Sequence, residues 1–200
     1  MKRHTLTLLI VLVGLWPLPS PVATGQTPPA AGRIDRAHSR VAFTVTKWGF
    51  VDVEARFLDF EGTVAHDPAR PAESRVEWRV RVSSVESGER KRDEALQMPE
   101  YFDAAHHPEL RFTSERVRAL SPSELEVAGT ITIRGKSRPL TIRIECGGRH
   151  AAPGEGTFEM FSTHFTVDRY DFGVVGGPAV GPVISRDVEV RIVAAVRVAG

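Results

Sequence analysis

A single cysteine, Cys146, occurs in the 200 residues, which excludes an intrachain disulfide framework and a cysteine-based zinc site. Asparagine is absent, and lysine is confined to Lys2, Lys47, Lys91 and Lys136 against 22 arginines. That skew reads as the codon bias of a GC-rich, bacterial genome and carries no functional information. Net charge is nearly absent, with 26 Lys+Arg against 25 Asp+Glu, so nothing in the balance points to nucleic acid. No apolar run reaches the ~20 residues of a membrane-spanning helix; the longest, Leu6 to Trp16, is broken by Gly14. With 42% hydrophobic and 26% charged residues, the chain is too polar for a membrane bundle and too apolar for disorder.

What is present begins with an address. A basic start (Lys2, Arg3, His4), the apolar run, the helix-breaking Pro17-Leu18-Pro19-Ser20-Pro21 and the small residues Ala23-Thr24-Gly25 follow the order of a secretory signal peptide. Residues 1–25 are therefore expected to be removed, residues 26–32 to form a flexible leader, and residues 33–200 to form the folded domain. The expected location is the periplasm. No cysteine directly follows the signal, so no lipid anchor is expected. Loss of Lys2 and Arg3 would leave 24 basic residues against 25 acidic ones, a net charge of −1.

Period-two alternation dominates the remainder. Val41, Phe43 and Val45 alternate with Ala42, Thr44 and Thr46. Val76, Trp78, Val80 and Val82 alternate with Arg75, Glu77, Arg79 and Arg81, the pattern of a strand with one buried face. Similar rows run through Leu125 to Ile133, Leu140 to Cys146 and Val188 to Val198. Segments 51–65, 109–118 and 156–168 complete eight candidate strands. Ser87 to Gln97 is charged, lacks β-branched residues and predicts a surface helix; Glu100 to Asp103 predicts a further helical turn. The expected fold is all-β: an eight-stranded antiparallel barrel with a short helical insertion around residues 87–103. Closure hides the sheet edges, and eight strands enclose room for side chains or one small ligand.

Familiar catalytic patterns are missing. Gly135-Lys136-Ser137 lacks the earlier glycine of a phosphate-binding loop and precedes a strand. The glycine-rich stretch Gly173 to Gly181 also leads into a strand, and no nucleophile elbow occurs. The histidines His38, His66, His106, His107, His150 and His164 show no metal-ligand spacing, so no metal and no catalytic residues are assigned. Phenylalanines and tryptophans are spread along the whole domain; they fit a packed core or the lining of an apolar cavity equally well.

Several strings in order resemble the YceI family of secreted lipid-binding proteins. They are Ile34-Asp35-x-x-His38-Ser39-x-Val41-x-Phe43-x-Val45, Arg56-Phe57-x-x-Phe60-x-Gly62-Thr63-Val64, and Arg92-Asp93-x-x-Leu96 with Tyr101-Phe102-Asp103 and His107-Pro108-x-Leu110-x-Phe112-x-Ser114. Gly129 to Gly135, Arg138 to Thr141 and Arg169-x-Asp171-Phe172-Gly173 complete the set. The resemblance implies a lipocalin-like barrel around an elongated apolar cavity. It also implies a periplasmic, non-catalytic protein that binds a polyisoprenoid or similar long amphiphilic lipid, with no other cofactor. Two positions depart from the family pattern: Lys47 and Ala95 stand where histidines are usual. Phe43, Val45, Phe57, Trp78, Phe112, Ile131, Ile133 and Phe165 are the expected lining, and Arg92 and Lys47 the expected polar contacts at the mouth. The expected partner is a long-chain amphiphile, with no nucleic acid and no stable membrane anchor; a homodimer is left open. The rival readings are a lipid-modifying enzyme using Asp93 or Glu94 with a histidine, and a barrel without a cavity.

Overall fold

The computed structural model describes residues 31–198, so the expected signal segment lies outside the described residues. Eleven strands make one continuous sheet: β1 (Ala31–Ile34), β2 (Arg40–Lys47), β3 (Val51–Phe57), β4 (Phe60–Ala65), β5 (Arg75–Arg81), β6 (Val85–Glu86), β7 (Glu109–Ser121), β8 (Glu124–Ile133), β9 (Lys136–Ala152), β10 (Gly156–Asp168) and β11 (Asp187–Val198). Three pairs of these are single barrel staves with a kink. β1 and β2 both run antiparallel to β11, β3 and β4 follow them back, and β5 and β6 line up against β4 and β3. Eight staves therefore close the barrel in simple up-and-down order, each paired with the next, and β11 returns to the first. The expected all-β, eight-stranded antiparallel barrel is the observed fold.

Side chains make the kinks. Between β1 and β2 a short turn (Arg36–His38) lifts the chain off β11, and Ser39 repairs the ladder: its hydroxyl donates to the Asp35 carbonyl at 2.6 Å and accepts from the Ala195 amide at 2.9 Å. The expected single strand over 51–65 is broken at Leu58-Asp59. There the Asp59 carboxylate accepts from both Arg36 and Arg81. Ala31 and Gly32, the last two residues of the expected leader, pair with Ala65 and Val64.

The helical insertion is shorter than the sequence suggests. One helix, α1 (Arg90–Leu96), is present, and Glu100 to Asp103 forms turns rather than a helical turn. Asp103 sits at φ 52, and its carbonyl accepts the amides of His106 and His107 at 3.1 and 2.8 Å. Two long segments, 87–108 and 169–186, lie at the same end of the barrel as the 48–50 and 134–135 turns, since they follow strands running in the same direction. The opposite end carries the 66–74 loop and the turns at 122–123 and 153–155.

The core is one cluster spanning the barrel, including Val41, Phe57, Phe60, Trp78, Val127, Ile142, Phe161 and Val196. A second cluster of Ile133, Phe172 and Val174 packs with Tyr101, Phe102 and Val167 under the two long segments. Gly129 shows how tightly the wall is fitted. A Cβ there would lie 2.3 Å from the Thr113 carbonyl oxygen and 2.9 Å from Phe112 Cζ, so glycine in this row makes room for the Phe112 ring.

Candidate functional site

The interior of the barrel is not completely filled. Its free volume is about 220 Å³. One water needs ~10–15 Å³ of such space, so the cavity equals that of roughly 15–20 waters. Its wall is almost entirely hydrocarbon, and a cavity of that character gives water few partners and tends to stay dry. The inward row of β8 runs from Leu125 to Ile133 along this wall. That is ~27 Å at ~3.4 Å per residue, or ~20 Å along the barrel axis at the ~40° tilt of small barrels. The space is narrow, long and suited to an extended apolar chain. It also sets aside the reading of a barrel without a cavity.

Phe43, Val45, Phe57, Trp78, Phe112, Ile131, Ile133 and Phe165 all lie on this wall. Phe43, Phe57 and Phe102 form a mutually tilted aromatic group with ring centres 5.5 to 6.0 Å apart. Trp78 stacks on Phe60 at 5.5 Å, and its buried indole N–H has no hydrogen-bond partner among the described residues. Sequence reasoning placed these residues because strand alternation assigns an inward row once one member of the row is known to be inward.

The two cations expected at the mouth do not line the cavity. Lys47 ends the row of Phe43 and Val45 at the barrel rim, where its ammonium lies 4.1 Å from the centre of the Trp48 ring. Arg92 is held by its own loop: it donates to the Ser87 hydroxyl at 2.8 Å and the Ser87 carbonyl at 2.9 Å, and it approaches Glu89 at 3.4 Å. Asp93 completes that clasp by accepting the Ser87 amide at 2.8 Å. Glu94 pairs with Arg90 on the exposed helix face. Neither acid of the rival catalytic reading lines the cavity. What the clasp does is anchor α1, so that Leu96, Tyr101 and Phe102 close one end of the cavity.

The other half of that closure is organised by Arg169, which is 6% exposed. Its five N–H groups reach five carbonyls: Ser185 at 2.9 Å, Val174 and Val175 at 2.7 Å, Gly181 at 2.7 Å and Ile184 at 3.1 Å. The segment 174–184 is thus wrapped around one guanidinium, and Phe172, Val174 and Ile184 are set on the cavity wall. Gly173, at φ 73, ends the short turn that carries Arg169 and Phe172.

Asp168 braces the same segment. Its carboxylate accepts from Arg186 and from the Tyr170 amide. The Arg186 hydrogen bond, then the amide, hold its carboxyl below the ordinary 3.8. A carboxyl depressed in the folded state contributes stability above its unfolded value, and that contribution is lost as pH falls through the lower, folded value. In chemical denaturation the parent is therefore expected to be more stable than Asp168→Asn near neutral pH, and the gap to close as the pH falls below 3.8. A gap that persists unchanged at low pH would show that the charge is not the cause.

At the opposite end, sequence reasoning missed a buried polar pair. His66 Nδ1 lies 2.9 Å from Glu159 Oε1, and both side chains are 8% exposed. The His66 ring meets Phe161 edge-on at 5.4 Å and lines the cavity. Alternation would have put His66 in the inward row of Phe60 and Val64, had that row been extended past the end of β4. Cys146 pairs with Phe161 across β9 and β10 but is not on the wall; burial, and then the charge of Glu159, push its thiol above the ordinary 9.0.

Comparison with known proteins places this architecture among others. A family model described as the YceI-like domain matches residues 33–196. A UPF0312 protein of Pseudomonas putida strain W619 is 26% identical over 172 residues, covering 85% of this chain and 90% of the relative. A UPF0312 protein of Pseudomonas savastanoi pv. phaseolicola is 28% identical over 160 residues, 78% of this chain and 83% of the relative. Among solved structures, BcnA of Burkholderia cenocepacia superposes with a TM-score of 0.74 at 22% identity, over 81% of this chain and 98% of its own. A polyisoprenoid binding domain from Saccharophagus degradans, implicated in plant cell wall breakdown, superposes at 0.67 with 15% identity, over 86% and 99%.

Proposed function

This chain belongs to the YceI-like domain family, and from that premise we propose that it is a secreted, non-catalytic binding protein holding a long-chain amphiphilic lipid, of polyisoprenoid or isoprenoid-quinone type, inside its barrel. The observation that carries the reading is the elongated cavity with an almost purely hydrocarbon wall. Burying apolar surface is worth about 25 cal/mol per Å², so ~500 Å² of chain gives ~12 kcal/mol. A loss of several kcal/mol to ordering and association still leaves roughly micromolar affinity. The polyisoprenoid binding domain from Saccharophagus degradans, which shares the fold, supports the choice of ligand class. The periplasm as the working compartment rests on the signal-like order of residues 1–25.

The test is direct. Purified protein extracted with organic solvent is expected to release a long-chain isoprenoid detectable by mass spectrometry at close to one molecule per chain. Recovery of no lipid from several bacterial expression hosts would refute the carrier reading. A lipid whose mass changes during incubation with the protein would favour an enzyme instead.

A further inference from the structure

The buried His66–Glu159 pair is an anomaly in a hydrocarbon-walled barrel. A buried pair of polar groups is costly to desolvate and is weak evidence for stability by itself. Glu159, as a carboxylate, can only accept, so it fixes the proton on His66 Nδ1 at 2.9 Å. In the neutral ring the second nitrogen, Nε2, then carries the lone pair, and no hydrogen bond from it is present among the described residues. His66 is on the cavity wall, and Ser74, Val117, Leu125 and Phe161 line the same end. These four neighbours are all buried. An unpartnered acceptor on a dry wall is a recognition point for one donor.

Resting on the carrier reading above, we propose that His66 Nε2, oriented by Glu159, is the subsite for a terminal hydroxyl, and that the cargo is a long-chain alcohol bound with its hydroxyl at this end. A hydroxyl donates to Nε2 and loses nothing by burial at this end, because its one O–H finds a partner. An ether or a hydrocarbon of equal length leaves Nε2 unpaired. A phosphate would bring a multiply charged group into an apolar end where one imidazole faces it. Arg149 approaches the same oxygen, Glu159 Oε1, at 3.9 Å and is not on the wall.

Delipidated protein is incubated with an equimolar mixture of geranylgeraniol, its methyl ether and geranylgeranyl phosphate, and the bound fraction is read by mass spectrometry. The alcohol is expected to be retained over the ether by about tenfold or more, as for one buried hydrogen bond, and over the phosphate as well. His66→Leu alone strands Glu159, so the informative variant is the double substitution His66→Leu with Glu159→Leu, which replaces both polar groups by hydrocarbon. It is expected to keep total lipid loading and lose the preference, with alcohol and ether bound equally. Equal retention by the parent protein, a preference for the phosphate, or a preference that survives in the double variant each overturns the subsite while leaving the carrier reading standing. Failure of all three to load overturns both.

Discussion

Arg169→Met is expected to lower the unfolding free energy by about 3–5 kcal/mol, the cost usual when one side of a buried charged contact is removed. The reason is local accounting of hydrogen bonds. Five carbonyls of residues 174–185 end on one guanidinium, and methionine fills similar volume while satisfying none of them. Each stranded carbonyl that stays buried costs roughly 1–3 kcal/mol, so the segment is expected to let go of the barrel and hydrate instead. Against a typical total stability of ~5–15 kcal/mol, the loss is severe. Arg169→Lys should rescue little, since an ammonium has three donors and no planar fork. Urea unfolding measures the loss, and limited proteolysis within 174–184 reports where it falls. A variant within about 1 kcal/mol of the parent, with the segment still protected, would show that other contacts hold this closure.

Arg169 also illustrates which parts of the molecule can be read from residues alone. Alternation makes the eight staves legible, because a half-buried strand has no other way to sort its side chains. It fails at the kinks. Nothing in Asp35 to Ser39 signals that a serine hydroxyl will replace a rung of the ladder, and the break at Leu58-Asp59 depends on arginines from two distant segments. Alternation is undisturbed in β10: the irregularity between Met160 and Phe161 is an extra residue, Gly147, on β9, and β10 keeps an unbroken register with β11. Phe158 therefore faces out against His38 and Arg197, while Glu159 shares the inward row of Phe161 and Phe165. A glutamate in an inward row is a legible signal, but its partner His66 lies beyond the end of β4, and only the fold brings the two together.

The strings that mark the family do another job from the one expected of them. Arg92 and Asp93 clasp Ser87, Arg169 gathers the 174–185 carbonyls, and Ser39 splices the ladder. These are the irregular points of a regular barrel, where one side-chain type is required by geometry. The cavity wall, by contrast, needs only apolar side chains of suitable size. Ligand identity therefore resides in few positions, and charges chosen from the motifs, such as Arg92, turn out to hold backbone.

Val190→Trp is expected to reduce lipid retention by tenfold or more while leaving the thermal midpoint unchanged or raised. Val190 lies opposite Phe43 on β2 and Phe165 on β10, and all three side chains border the cavity. An indole at this position would enter the empty space that the cargo occupies. In a filled core such an enlargement costs ~1–3 kcal/mol. Here it replaces void by contacts, and the gain follows the ~24 cal/mol per Å³ that cavities cost. Arg191→Trp is the control: Arg191 is exposed on the next position of the same strand, so the same bulk is added outside the barrel and retention should not change. Lipid recovered by solvent extraction from the three proteins, set beside their melting curves, separates the outcomes. Equal recovery from Val190→Trp and the parent would place the bound chain somewhere other than the barrel interior, whatever the affinity of the protein for lipid.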